Sequence, residues 1–179
     1  KAYKYNSINK NDIQKKDLLN HFNKSYIEYR KNWKNQPIES FKNKLHGKKF
    51  KENNNSPLCF DIEVASICDL ACAFCYRQYV STPDKIMKKE LAFKLIDQAS
   101  KLNVPSMKFN WRGEPLLNPK LPEIIDYAKK KGVLETMINT NATKLDEKMS
   151  EKIIKSGLDI MIYSFDGGTK NTYEKMRPG

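Results

Sequence analysis

From Leu58 onward, short apolar stretches alternate with longer amphipathic segments, and this alternation constrains the fold more than any other feature of the chain. The predicted strands are Leu58–Ala65, Ser106–Trp111, Glu135–Thr140 and Asp159–Phe165. The predicted helices are Pro83–Leu102, with Thr82 as its N-cap, Pro119–Lys131, Asp146–Ser156 and one that begins near Lys170. Strands separated by helices form βαβ crossovers, so the pattern predicts an α/β fold with a parallel sheet. A doubly wound sheet and a barrel both remain open.

Residues 1–55 have the pattern of a helical N-terminal region that ends in a linker. Apolar residues at helical spacing predict a helix over Asp12–Trp33. Pro37 predicts a break, and Ile38–Leu45 a second short helix. The polar segment Gly47–Ser56 is the predicted linker to a domain over residues 56–179.

The positive charge is concentrated in that N-terminal region. The net charge is +12, and residues 1–55 contribute 14 Lys+Arg and 5 Asp+Glu, or +9, against 19 and 16, or +3, for the rest. A basic arm can attract nucleic acid, acidic lipid or an acidic substrate, but it is more often a solvated surface. No nucleic-acid-binding motif accompanies it, so we expect no nucleic-acid partner.

The composition also bears on the compartment in which the chain works. No stretch of eighteen apolar residues is present, so no membrane span is expected. The polar first residues lack the apolar core of a secretory signal. A cytoplasmic location, where thiols stay reduced, is therefore predicted.

Three of the four cysteines, Cys68, Cys72 and Cys75, form the run C-x3-C-x2-C on a loop after the first predicted strand. Thiolates this close can hold an iron–sulfur cluster, and three ligands for a [4Fe–4S] cluster would leave one iron open. A zinc site and isolated core cysteines are the alternatives. Cys59 lies nine residues before Cys68, and both histidines lie in the N-terminal region, so the spacing fits zinc poorly.

Further polar motifs follow the other predicted strands. They are Arg112-Gly113-Glu114-Pro115 after the second strand, Asn139-Thr140-Asn141 at the end of the third, and Ser164-Phe165-Asp166-Gly167 at the end of the fourth. In parallel α/β folds, ligands bind beyond the carboxyl ends of the strands. Four polar motifs in four equivalent places therefore predict one ligand site.

The strands themselves carry polar residues on one face. Period-two alternation places Asp61 and Glu63 of the first strand on one face, and Lys108, Asn110 and Arg112 of the second strand opposite Met107, Phe109 and Trp111. In the fourth strand, Ile160, Ile162, Ser164 and Asp166 share a face. The apolar faces are expected to meet the helices. The five polar residues Asp61, Glu63, Lys108, Asn110 and Arg112 are substrate-binding candidates, and a buried salt-bridge network is the alternative.

These motifs together resemble the signature of the radical S-adenosylmethionine (SAM) superfamily over roughly residues 57 to 179. The aromatic Phe74 before the third cysteine and the run Tyr173-Glu174-Lys175-Met176-Arg177 add to the resemblance, which looks closest to the SPASM/twitch-type branch. The resemblance implies a partial (β/α)6 TIM-like barrel. The chain supplies about four βα units of it, so the C-terminal part and any SPASM extension are expected to be absent, which leaves an unpaired sheet edge.

The resemblance also implies an activity. Cys68, Cys72 and Cys75 would bind a [4Fe–4S] cluster, and SAM would chelate the open iron. Reductive cleavage of SAM would give methionine and a 5′-deoxyadenosyl radical that abstracts hydrogen from substrate. The expected substrate is a peptide or protein that undergoes oxidative modification, crosslinking or epimerisation. A small metabolite, such as a sugar or cell-surface precursor, is the alternative, and a non-catalytic zinc or nucleic-acid-binding module is the alternative from another class.

Partners and SAM contacts follow from the same resemblance. It implies an external electron donor of the flavodoxin or ferredoxin type, and auxiliary iron–sulfur clusters in a C-terminal extension. The implied SAM contacts are Gly113 by close backbone approach, Glu114 to the ammonium, Asn141, Ser164 and Asp166 to the ribose, Arg177 to the carboxylate, and backbone near Phe74 and Tyr76 to adenine. Many family members have Gly-Gly-Glu-Pro where this chain has Arg112 first, which brings a guanidinium close to the site. No general acid or base is identified.

Overall fold

The computed structural model of the protein describes residues 24–46 and 57–179. The chain divides into two compact units, Lys1–Asn53 and Asn54–Gly179. Among the described helices, none is both long and apolar enough to cross a bilayer.

In the first unit, a single helix α1 spans Lys24–Leu45 without interruption, and Pro37 lies inside it. The predicted break at Pro37 is therefore wrong. A proline removes one backbone hydrogen bond and can bend a helix without ending it. The part of the predicted helix before residue 24 and the predicted linker over 47–56 lie outside the described residues.

The second unit contains a four-stranded parallel sheet in the order β1-β2-β3-β4. The strands are β1 (Cys59–Asp61), β2 (Ser106–Lys108), β3 (Glu135–Thr140) and β4 (Ile160–Tyr163). The helices are α2 (Lys89–Lys101), α3 (Leu121–Lys130), α4 (Glu147–Lys155) and α5 (Lys170–Met176), and short 3-10 turns span Tyr76–Gln78 and Pro115–Leu117. This confirms the predicted α/β fold, and the sequential parallel order is that of a partial barrel.

The core lies on the side of the sheet that α2, α3 and α4 cover. Met107, Phe109 and Ile138 are fully buried there, together with Ile62 and Val64 from the end of the first strand region. The predicted apolar faces therefore do meet the helices. Trp111 is the exception at 65% exposure. Regular strand geometry ends at Lys108, so the period-two alternation does not extend to this tryptophan.

The helix predicted from Pro83 begins six residues later, at Lys89, and Thr82 is not its N-cap. Residues before it instead lie alongside the chain that follows β1. Ser66 N donates to Lys85 O at 2.9 Å, Met87 N donates to Val64 O at 2.9 Å, and Ile86 forms an antiparallel bridge with Ala65. These long-range backbone bonds hold the segment extended, so local helix signals do not decide its structure.

Other predicted boundaries differ less. β3 has the predicted bounds, whereas β1, β2 and β4 are each shorter than predicted at one end or both. The carboxyl ends of these strands and the loops after them all lie at one edge of the sheet, because the strands are parallel. The predicted ligand motifs are thereby brought to that edge.

Candidate active site

The cysteine loop follows β1 and holds its three motif thiols in different degrees of burial. Cys72 is buried at 6% exposure, and Cys68 and Cys75 are half-buried. The amide of Cys75 donates to Cys72 O at 3.0 Å, which folds the second half of the motif into a tight turn. Burial raises the pKa of the Cys68 thiol above its usual value, a shift that the hydrogen bond from the Leu70 backbone partly opposes.

One side of the cysteine loop is tied to the loop that follows β3. Asn141 Nδ2 donates to Asp69 Oδ1 at 2.9 Å, and the Thr143 hydroxyl donates to Asp69 Oδ2. Lys144 Nζ lies 3.6 Å from the same carboxylate. Burial raises the pKa of Asp69, but the Thr143 and Asn141 hydrogen bonds outweigh it, and the net pKa is lowered. Asp69 is therefore an anionic anchor immediately after the first cysteine.

The other side of the cysteine loop is held by the end of α5. Ala71 N donates to Pro178 O at 2.7 Å, and Ala73 N donates to Met176 O at 3.2 Å. Between them, Arg177 Nη1 lies 3.4 Å from Cys72 Sγ. The second cysteine is thus enclosed by three contacts with the segment after β4.

The base of the site is formed where Gly113 crosses the start of the cysteine loop. A Cβ at position 113 would lie 2.2 Å from Ile67 O and 2.4 Å from Ala65 O. Glu114 N donates to Ile67 O at 2.8 Å and completes this contact. Only glycine allows so close an approach of two backbones.

Glu114 is buried at 2% exposure and is surrounded by donors from two other segments. Its Oε1 accepts from Thr140 Oγ1 at 2.6 Å and from Leu116 N at 3.0 Å, and its Oε2 accepts from Asn141 N at 2.8 Å. Burial raises the pKa of the carboxyl, and these hydrogen bonds oppose that rise. A carboxylate has about four acceptor positions, so one remains for the predicted SAM ammonium.

Arg177 and Asp166 form an ion pair through the Nε and Nη2 edge of the guanidinium. The guanidinium carbon also lies 5.4 Å from the centre of the Phe74 ring. The Nε and Nη2 atoms, which the resemblance implies bind the SAM carboxylate, are therefore paired with Asp166 in this structure. Nη1 faces Cys72 instead. Gly167 follows directly, and a Cβ there would lie 2.4 Å from Tyr173 N, which packs the turn tightly against α5.

The remaining SAM-contact candidates lie at the same edge of the sheet. Ser164 is half-buried and its amide donates to Thr140 O at 2.8 Å, which continues the ladder beyond β4. Tyr76 begins a short 3-10 turn after the third cysteine and is 44% exposed. The structure places the predicted SAM contacts in the segments at the carboxyl ends of the strands. Their roles toward SAM stay predictions.

Two of the five substrate-binding candidates are paired with each other. Arg112 Nε and Nη2 donate to the two oxygens of Glu63 at 2.6 and 2.5 Å, and the Arg112 amide adds a third bond at 3.2 Å. The Arg112 hydrogen bond lowers the pKa of Glu63, against the opposing effect of burial. Arg112 and Glu63 thus form a single ion pair that is partly exposed, with 29% and 21% side-chain exposure, and not a buried network.

The other three candidates have different surroundings. Asp61 is exposed and accepts from Cys59 Sγ at 3.6 Å, and Lys108 is half-buried. Asn110 Oδ1 accepts from Asn139 N at 2.8 Å and so braces β3. The adjacent Asn139 Oδ1 is buried without a hydrogen-bond partner among the residues that the structure describes.

Several residues that shape the site were not predicted from the sequence. They are Asp69, Thr140 and Thr143 around the cysteine loop, and Asn118, which is fully buried. The sequence could have indicated Asp69, because it follows Cys68 directly, and Thr140, because it lies inside the Asn139-Thr140-Asn141 motif. Asn118 had none, because its partners Val64 and Met87 lie 54 and 31 residues away.

The side chains present fit the predicted cluster. The motif supplies three thiols on one constrained loop. Two side-chain donors lie near its sulfurs, Arg177 Nη1 at Cys72 and Asn141 Nδ2 at Cys68, the latter at 3.9 Å. Donors of this kind favour bound thiolates, as in known iron–sulfur sites. Within residues 24–46 and 57–179, no three Cys, His, Asp or Glu side chains lie close enough together to bind one metal ion. A [4Fe–4S] cluster does not require such a group, because each of its cysteines binds a different iron.

Comparisons with known proteins identify relatives of this chain. The tungsten-containing aldehyde ferredoxin oxidoreductase cofactor-modifying protein of Pyrococcus furiosus is 31% identical over 108 residues, 59% of this chain and 30% of that protein. The PqqA peptide cyclase of Granulibacter bethesdensis is 32% identical over 110 residues, 61% of this chain and 29% of that protein. The chain thus spans less than a third of either relative.

A solved structure shares the fold. It is that of Streptococcus suis SuiB bound to precursor peptide SuiA, with a TM-score of 0.58 and 22% identity over 68% of this chain and 27% of that one. The sequence profile of the Radical SAM superfamily matches residues 62–179, which include all three motif cysteines and the glycine–glutamate turn. The chain belongs to the radical SAM superfamily.

Proposed function

We propose that the protein is a radical SAM enzyme that abstracts hydrogen from a peptide or protein substrate and so modifies it oxidatively, by crosslinking or by epimerisation. The observation that carries this proposal is the cysteine loop, braced on one side through Asp69 and on the other through Arg177 and the Met176 and Pro178 carbonyls. A loop held so firmly, with donors directed at its sulfurs, is suited to retain an oxygen-sensitive cluster.

In this proposal the residues at the edge of the sheet divide the work. Cys68, Cys72 and Cys75 hold the [4Fe–4S] cluster, and Glu114, Asn141, Ser164, Asp166 and Arg177 hold SAM, with Gly113 and the backbone near Phe74 and Tyr76. When bound, the cluster and SAM supply one-electron cleavage and hydrogen abstraction. The chain's own task is to orient both groups and to exclude water.

The substrate class is supported by one comparison: the similarity to a PqqA peptide cyclase favours a peptide. A small metabolite is the second candidate, favoured by the similarity to a protein that modifies a tungsten enzyme's cofactor.

The surroundings of the enzyme are part of the proposal. It works in the cytoplasm with a flavodoxin- or ferredoxin-type donor, because a low-potential electron is needed to reduce the cluster. Residues beyond this chain complete the barrel and can carry auxiliary clusters of the SPASM or twitch type. Residues 56–179 then form the first part of the radical SAM domain.

The proposal is tested on the longest form of the protein that can be produced, purified and reconstituted without oxygen. Iron and sulfide are quantified, and 5′-deoxyadenosine is assayed after reduction with SAM present. We expect at least about four irons per chain, about four fewer in Cys72→Ala, and nucleoside formation that is lost in this variant. Cys59→Ala is the matched control, since Cys59 lies outside the motif and should leave both values unchanged. Protein that holds one zinc and no iron would refute the proposal.

The substrate class has its own test. Uniformly deuterated peptides and deuterated small metabolites are supplied separately, and deuterium in the 5′-deoxyadenosine is measured by mass spectrometry. Incorporation from a peptide supports the first candidate. Incorporation only from a metabolite supports the second and rejects the peptide.

A further inference from the structure

We propose that Arg177 is a positioning residue that raises the reduction potential of the cluster, through a hydrogen bond from its guanidinium to the sulfur of Cys72. The inference rests on the proposed function, because it requires a cluster on the cysteine loop. It gives Arg177 a role that does not depend on SAM.

The contact is direct and sheltered from water. Arg177 Nη1 lies 3.4 Å from Cys72 Sγ, within hydrogen-bond range for sulfur. The Arg177 side chain is 11% exposed, and Cys72 is 6% exposed. A charge-assisted hydrogen bond between groups this buried is screened little by solvent or salt.

Three neighbours fix the direction in which the guanidinium points. Asp166 binds its Nε and Nη2 edge, and the Phe74 ring lies against its face with 5.4 Å between the guanidinium carbon and the ring centre. The flanking carbonyls of Met176 and Pro178 accept from Ala73 and Ala71 of the cysteine loop. Because both the backbone and the fork edge are held, Nη1 is left facing Cys72.

Reduction adds one electron and no proton to the cluster, so negative charge on its sulfur ligands increases. Asp166 offsets part of the guanidinium charge, but the Nη1–H bond directed at the Cys72 sulfur still stabilises the reduced form more than the oxidised form. The reduction potential therefore rises. The Leu70 amide and Asn141 Nδ2 also lie near a motif sulfur, both at Cys68, and Asn141 Nδ2 is 3.9 Å away. Neither donor carries a charge, so their effect is weaker.

The test compares Arg177→Gln, Arg177→Lys and the matched control Lys175→Gln in the reconstituted protein without SAM. Lys175 is exposed in the last turn of α5, two residues before Arg177, so Lys175→Gln removes the same charge from the same end of the helix. The fraction of reduced cluster is measured by EPR at fixed potentials set with a chemical one-electron reductant and mediators. Iron per chain is measured for every sample.

We expect Arg177→Gln to lower the ratio of reduced to oxidised cluster about tenfold at a given potential, as the loss of a charge-assisted hydrogen bond predicts. Lys175→Gln should match wild type, because its charge is solvated. Arg177→Lys should fall between the two, since an ammonium keeps the charge but cannot bind Asp166 and Cys72 in the planar fork geometry.

Opposite results would overturn the inference. A fully loaded Arg177→Gln with the wild-type ratio would show that Arg177 does not tune the cluster. If Arg177→Gln loses iron, Arg177→Lys decides: a lowered ratio supports the inference, and the wild-type ratio refutes it. If both variants stay folded without iron, Arg177 has a purely structural role and the inference is refuted. Wild-type protein without a cluster would instead refute the proposed function.

Discussion

Gly113 lies where the chain leaves the second strand region and crosses the backbone that leads into the cysteine loop. A Cβ there would lie 2.2 Å from Ile67 O and 2.4 Å from Ala65 O, and both obstacles are backbone atoms that cannot rotate away. We therefore expect Gly113→Ala to destabilise the protein by about 3 kcal/mol and to reduce iron retention after reconstitution. Chemical denaturation and iron analysis measure the two effects.

Gly168→Ala is the matched control for this prediction. A Cβ at position 168 meets no atom within 4 Å, and its φ lies outside the left-handed region. Its stability should stay within about 0.5 kcal/mol of wild type. If Gly113→Ala were as stable as Gly168→Ala, the result would contradict a close approach of the two backbones at Gly113.

At this scale, the sequence identifies candidate residues for the chemistry but not the neighbours that the fold brings to them. The spacing of the three cysteines and the turn at Glu114 were visible in the chain. The donors to Glu114 were not, because Thr140 and Asn141 lie 26 and 27 residues away and only the fold brings them to the carboxylate. The pairing of Arg112 with Glu63 likewise depends on the register of two neighbouring strands.

Among the elements, those defined by local pattern were predicted well and those defined by tertiary contact were not. β3 lies between two strands, and its predicted bounds Glu135–Thr140 are those observed. The start of α2 was misplaced because residues 83–87 pair with the chain around Ala65. A proline and a threonine at a helix-like position carry no information about that distant partner.

Asn118 connects three elements, and we expect its loss to weaken all of them together. It is fully buried, and its Nδ2 donates to Val64 O at 2.9 Å and to Met87 O at 3.1 Å, while its Oδ1 accepts from Lys120 N ahead of α3. Asn118→Ala removes one of the two donors to Val64 O, which keeps the bond from Met87 N, and leaves Met87 O without its bond from Asn118. The change should cost about 1–3 kcal/mol. Thermal or denaturant unfolding measures this loss.

Asn118→Asp separates the donated bonds from the accepted one. Aspartate keeps the acceptor for Lys120 N but faces the two carbonyls with a buried charge, so its destabilisation should equal or exceed that of alanine. Asn171→Ala, on the exposed surface of α5, should change stability by less than about 0.5 kcal/mol. A stable Asn118→Asp would show that the donated bonds contribute nothing.

At the scale of the whole molecule, the parallel sheet was predicted correctly. β4 pairs with β3 alone within the described residues. Beside it, α4 and β4 border an apolar groove of about 250 Å³ that includes Ile154, Leu158 and Tyr163. Since the relatives extend well beyond the matched region, we propose that further βα units of the complete protein cover this face.

Side chains of this face are exposed in the described part of the chain, and we expect the face to drive self-association. Ile154 is 77% exposed and Tyr163 57% exposed, and an apolar patch beside a free strand edge favours contact between chains. Ile154→Lys places a charge on the patch without entering the core, so it should reduce association while stability changes by less than about 0.5 kcal/mol. Sedimentation velocity over a range of concentrations measures the associated fraction.

The neighbouring Ile153→Lys is the contrasting variant: Ile153 is 3% exposed in the core, and a lysine there should unfold the domain. A wild-type chain that stays monomeric at high concentration would show that this face needs no cover.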